Sequence, residues 1–129
     1  MKLSQVALQL YTLRDYCTTP EDIRKTLQRV KAIGYPAVQA SGLGPIEPAE
    51  LRKMLDDEEL VLCATHEDGE LIRKQPEKVV EKLKALGCTY TAYPWPAGVD
   101  WATPEHIESL VADLDRAGAV LRDAGQVLA

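Results

Sequence analysis

Phenylalanine is absent, and the only aromatics are five Tyr and two Trp, so any core must be built from aliphatic side chains. Cysteine is scarce and unpaired: Cys17, Cys63 and Cys88 are an odd number, far apart, with no CxxC among them. That excludes a disulfide scaffold and a structural zinc site, and reads as reduced thiols in a cytoplasmic protein. Positive charge is also in short supply. With 15 Lys and Arg against 20 Asp and Glu, the net charge is -5, so the basic footprint that gives nucleic-acid binders their phosphate affinity is missing. Neither nucleic acid nor an anionic membrane is an expected partner. Long apolar runs are missing too. The uncharged stretch Cys88 to Val99 contains Pro94 and Pro96, and no uncharged run is long enough to span a bilayer. The start, Met1-Lys2-Leu3-Ser4-Gln5, runs into a stretch broken by Gln9, without the apolar core or cleavage site of a signal peptide.

What is present is 46% hydrophobic residues over 129 positions, enough for one globular module spanning 1–129. Strand and helix signals alternate along it. Gln5 to Tyr11 alternates as a strand, with Val6, Leu8 and Leu10 in one phase and Ala7, Gln9 and Tyr11 in the other. Thr19-Pro20-Glu21-Asp22 then opens a helix whose Ile23, Leu27, Val30 and Ile33 form a stripe ending at Gly34. Ala37 to Ala40 is a second strand. A loop, Ser41 to Pro45, leads to a helix carrying Leu51, Met54 and Leu55, and Leu60 to His66 is the third strand. Gln75-Pro76-Glu77 opens a helix with Val79, Val80, Leu83 and Leu86 before Gly87, and Tyr90 to Trp95 is the fourth strand. Thr103-Pro104-Glu105 repeats the opening of the first helix. Ile107, Leu110, Val111, Leu114, Ala117, Gly118 and Leu121 then mark a long helix ending at Gly125, and Val127-Leu128-Ala129 begins a fifth strand.

Alternation of this kind predicts a parallel α/β sheet. Lys31-Ala-Ile-Gly34 recurs as Lys84-Ala-Leu-Gly87, 53 residues on, an echo that duplication and shared capping chemistry explain equally well. Two architectures fit. One is a doubly wound, flavodoxin-like sheet acting as a binding domain, which normally carries a helix after its last strand. The other is half of a (β/α)8 TIM barrel, about four and a half βα units against the roughly 250 residues of eight. Polar and aromatic residues gather at the carboxyl ends of the strands: Gln9 and Tyr11, Gln39, His66, Tyr93 and Trp95. A barrel mouth has this character.

The segments Val6 to Asp15 (VALQLYTLRD), Ile33 to Gln39 (IGYPAVQ), Ala64-Thr-His66, Ala85-Leu-Gly87 and Tyr93-Pro-Trp95 resemble, in order, the first half of the sugar phosphate isomerase/epimerase family of xylose-isomerase-like TIM barrels. The resemblance implies a sugar or sugar phosphate substrate and a divalent metal, such as manganese or magnesium. It also implies a pair of glutamates moving a proton beside a carbonyl. In relatives the ligands and the acid/base pair come from the fifth strand onward, so this chain is expected to be inactive by itself and to hold no cofactor of its own. Gln39 stands where relatives usually have Glu, and an amide binds hydroxyls without serving as a base. Glu59 stands where they commonly have Gly, which predicts a different ending for the second helix.

The expected substrate-binding residues are Gln9, Tyr11, Gln39, His66, Tyr93 and Trp95, with no catalytic or metal-binding residue. For His66 the competing reading is a strand-end imidazole bonded to a carbonyl, and for Trp95 it is packing beside Pro94 and Pro96. His66-Glu-Asp-Gly-Glu70 has neither a second histidine at helical spacing nor a calcium-loop pattern, and reads as acidic residues opening a crossover. Gly42 and Gly44 make no phosphate loop, His106 reads as solvated, Cys63 as core, and Cys17 as having no base partner. An open half barrel exposes its inner face and two strand edges, which predicts a homo-oligomer and makes a self-associating scaffold the main alternative function.

Overall fold

A computed structural model describes Lys2 and residues 5–129; Met1, Leu3 and Ser4, part of the start read above against a signal peptide, lie outside the described residues. Five strands, β1 (Ala7–Gln9), β2 (Ala37–Ala40), β3 (Val61–His66), β4 (Tyr90–Ala92) and β5 (Val127–Leu128), form one sheet in the order β1-β2-β3-β4-β5. Every pairing is parallel. Between them run α1 (Pro20–Ile33), α2 (Pro48–Asp57), the short α3 (Gly69–Lys74), α4 (Pro76–Leu86) and α5 (Pro104–Asp123). No helix among the described residues is long and apolar enough to cross a membrane.

The strand order decides between the two architectures. A doubly wound sheet reverses direction after its first crossover, which puts helices on both faces. Here each new strand adds beside the last, so crossovers of one hand place all the helices on one face. α1 packs on α2, α2 on α4 and α4 on α5, which overturns the flavodoxin-like alternative. The result is an arc of a barrel, with its core between sheet and helices. Leu27, Val38, Leu55, Leu62, Leu83 and Leu121 are among the buried side chains there.

Local chemistry explains the boundaries. At the start of α1, Thr19 Oγ1 accepts the Asp22 amide at 3.2 Å and donates to Asp22 Oδ2 at 2.7 Å, a capping box with aspartate in the third position. Thr103 does not repeat this: its hydroxyl donates to Asp100 Oδ2 at 2.7 Å instead. The predicted first strand stops at Gln9, because Thr12 Oγ1 donates to the Gln9 carbonyl (2.8 Å) and the chain coils into a 3-10 segment, Leu10–Tyr16, that buries Leu10. Tyr11 is therefore not a strand residue. The predicted fourth strand likewise ends at Ala92, leaving Tyr93 and Trp95 in the following loop. Two stripe positions prove to be outside the core: Ile33 is 75% exposed and Val111 is 61% exposed.

All four long helices end the same way. A residue in the left-handed region is followed by an amide bonded five residues back: Tyr35 to Val30, Leu60 to Leu55, Cys88 to Leu83 and Gln126 to Leu121. Three of the left-handed residues are glycines, and the fourth is Glu59, at φ 50°. The second helix thus ends as the others do, with a side chain in a conformation that favours glycine. Replacing Glu59 with glycine is expected to raise stability by about 1 kcal/mol, measured by urea denaturation. The ion pair lost, to Lys31 at 3.8 Å, is exposed and contributes little.

Candidate active-site cleft

The carboxyl ends of β1, β2 and β3 open onto a cleft of about 570 Å³ whose wall includes Gln9, Tyr11, Ser41, His66 and Trp95. Gln9 Nε2 donates to Gln39 Oε1 at 2.8 Å, tying the ends of two adjacent strands together through their side chains. Ser41 Oγ lies 3.1 Å from His66 Nδ1. With Nδ1 engaged, the ring is held in one orientation and Nε2 is left as its other polar atom. The partner of His66 is therefore a serine hydroxyl and not the backbone carbonyl of the competing reading.

A bulge aims this histidine. β2 and β3 pair as Val38 with Leu62 and then Gln39 with Ala64, so Cys63 is an extra residue on β3. Leu62 and Thr65 both lie buried toward the helices, whereas strict alternation would put them on opposite faces. Because the bulge takes up the extra residue, His66 stays on the open face. Cys63, read above as a core residue, is this bulge residue, half-buried, with its thiol donating to the Val38 carbonyl at 3.3 Å.

Five of the six predicted residues meet here: Gln9, Tyr11, His66 and Trp95 as wall, and Gln39 through Gln9. Trp95 is 72% exposed, so the packing alternative for it is corrected. Tyr93 faces a neighbouring cavity, also about 570 Å³, with Gly69 and Arg73; Trp95 borders both spaces. A Cβ on Gly42 would stand 2.7 Å from the Tyr11 ring, so the absence of a side chain there lets the ring pack down. The Arg14 guanidinium sits 4.6 Å from the centre of the same ring.

Three participants lie outside the expected site residues. Ser41 is one. The others are Glu67, only 4% exposed on the helix side of β3, and Lys82 of α4, whose ammonium donates to Glu67 Oε2 at 2.7 Å. The neighbouring Asp68 caps α3 by accepting the Leu71 amide at 2.8 Å, so the acidic run has a structural use. His106 is exposed, and its Nδ1 accepts the Asp100 amide at 3.1 Å. Among the described residues, no three His, Cys, Asp or Glu side chains are grouped so as to hold a metal ion. These residues do not fit the divalent metal that the family resemblance implies.

The fold and the position of this cleft define half of a TIM barrel, viewed at its carboxyl-terminal mouth. Two solved structures titled sugar phosphate isomerase/epimerase, from Parabacteroides distasonis, have this fold, with TM-scores of 0.77 and 0.74 at 18% identity. The match covers 99% and 95% of this chain and 51% and 52% of theirs, so the chain spans about half their length. A xylose isomerase-like TIM barrel/4-hydroxyphenylpyruvate dioxygenase fusion protein matches at TM-score 0.61 and 13% identity, over 95% of this chain and 20% of that one. No protein-family model and no curated protein matches the sequence.

Proposed function

We propose that the chain forms half of the pocket wall of a sugar isomerase or epimerase barrel and that its cleft takes a sugar or sugar phosphate. The observation that carries this reading is the meeting of two amides, an oriented imidazole and two exposed aromatic faces at the ends of adjacent strands. Gln9 and Gln39 have the donors and acceptors to exchange hydrogen bonds with hydroxyls. Trp95 offers an apolar platform to the C–H face of a ring, and His66 holds or moves a proton at Nε2. The divalent metal and the acid/base carboxylates are assigned to the remainder of such a barrel. The 129-residue chain therefore binds weakly and does not turn over. Its cysteines, none in a disulfide, support a reducing compartment, the cytoplasm.

Titration with ketoses, aldoses and their phosphates, followed by amide chemical shifts, should perturb Gln9, Gln39 and His66 saturably, and His66→Ala should weaken binding at least tenfold. No isomerisation is expected with manganese or magnesium added. If no sugar moves these signals the reading is lost; turnover that disappears in His66→Ala would place the reaction centre inside this chain.

A second reading, self-association, is favoured by the open sheet face, where Val61 (62%) and Tyr90 (52%) are exposed. Size exclusion with light scattering tests it, and a stable monomer that binds no hydrophobic dye would overturn it.

A further inference from the structure

The two ends of the arc are unfinished in complementary ways. Beside β1, an apolar groove of about 400 Å³ is lined by Leu8, Leu13, Tyr16, Val30, Ile33 and Tyr35. α1 has α2 on one flank and the 3-10 segment Leu10–Tyr16 against it, and among the described residues no α-helix covers the other flank. Beside β5, a groove of about 350 Å³ runs between that strand and α5, past Leu114, Gly118, Ala119 and Gln126. Gln126 is buried, with Nε2 donating to the Val80 carbonyl at 3.1 Å, yet its Oε1 has no hydrogen-bond partner among the described residues. A buried acceptor left empty is costly, so it marks a position that a further donor would satisfy. Gly118 weakens the interior of α5, and a Cβ there would meet nothing within 4 Å. Among the described residues no packing accounts for this glycine, whereas a helix approaching closely would use the space. β5 reaches β4 through the amides of Val127 and Ala129, which turns the Leu128 amide outward.

We infer that the occupant of each groove is the opposite end of a second copy: β5 and α5 of one chain dock against β1 and α1 of another. This rests on the self-association reading above and specifies its geometry. All strands are parallel, so a two-fold along the axis of a closed ring preserves strand direction and forms both seams at once. With five strands from each copy the ring has ten and is wider than an eight-stranded barrel, where a half-turn would lay β1 of one copy on β5 of the other. A two-fold axis across the strands would instead pair β5 with β5, or β1 with β1, antiparallel. The two grooves suit each other chemically. In this docking exposed Ile33 would enter the space over Gly118, and Arg29 on the α1 side would meet the Asp115 carboxylate of the α5 groove, which also carries Arg122.

The experiment uses the 129-residue chain. Light scattering should give twice the 14.2 kDa chain mass. Ile33→Glu and Gly118→Leu, both at open positions, should each raise the dimer dissociation constant at least tenfold with the helical circular dichroism unchanged. Lys53→Ser on the exposed side of α2, away from both grooves, should change it less than threefold. In a mixture of isotope-labelled and unlabelled chains, filtered NOEs should join β1 of one copy to β5 of the other. A monomer at millimolar concentration would overturn both self-association and the seams. A dimer that ignores Ile33→Glu and Gly118→Leu, or shows β5-to-β5 contacts, would overturn the seams alone.

Discussion

Gly44→Ala is expected to destabilise the fold by about 3 kcal/mol, since the added methyl would overlap backbone that has little room to move. A Cβ at this position would lie 2.1 Å from the Thr18 carbonyl oxygen. The approach is close because the Gly44 amide donates to the Cys17 carbonyl at 2.7 Å, joining the loop after β2 to the turn before α1. The same loop carries Ser41 and Gly42 into the cleft, so the substitution should also disturb His66. Denaturant unfolding measures the first effect and the His66 ring signals the second. An alanine variant within 1 kcal/mol of the parent would show that the contact relaxes freely.

Asp113→Ala should be nearly as damaging, at about 2–3 kcal/mol. Asp113 is buried on α5 and receives Arg73 Nε at 2.9 Å, Lys74 Nζ at 3.3 Å and Arg116 Nη2 at 3.0 Å. Removing the carboxylate strands Arg73, which is largely buried, although Lys74 and Arg116 are half exposed and can return to water. That moderates the usual penalty for breaking a buried pair. Burial alone would push the Asp113 carboxyl up, but the hydrogen bonds from Arg73, Lys74 and Arg116 outweigh it and hold its pKa below the ordinary value. A carboxyl with a depressed folded pKa contributes stability that is complete above its unfolded pKa and fades as pH falls through the folded one. The parent should therefore lose stability below about pH 4, and Asp113→Asn should flatten that part of the profile. An unchanged acid limb in the variant would remove Asp113 as its source.

Much of the fold was legible because capping chemistry is local. Thr19-Pro20 at one end of α1 and Gly34 at the other mark it within a residue, and β2 runs from Ala37 to Ala40 as its composition indicates. Sheet order was not legible, since alternating strands and helices serve a barrel and a doubly wound sheet alike. Errors within elements came where a side chain competed for the backbone, as Thr12 does at Gln9. The stripe of α1 overran at Ile33, because nothing in the spacing says where the neighbouring element stops. At the cleft, residue types and strand ends were readable. Their partners were not: Gln9 with Gln39, Ser41 with His66 and Glu67 with Lys82 are 30, 25 and 15 residues apart. Glu59 does not give α2 a different ending, because the Leu60 amide bonds to the Leu55 carbonyl and holds Glu59 in the left-handed turn, as the corresponding bond does at each of the other three helices.

The extra residue at Cys63 gives β3 a parity. Side chains before it and after it keep separate counts, and the two counts disagree by one. Deleting Cys63 would remove that disagreement and still leave Leu62 and Thr65 toward the helices and His66 on the open face, because the bulge already takes up the extra residue. Keeping the residue while forcing simple alternation would instead turn His66 into the space between sheet and helices, where an imidazole is poorly housed. The bulge, and not the length of the strand, is what this histidine depends on.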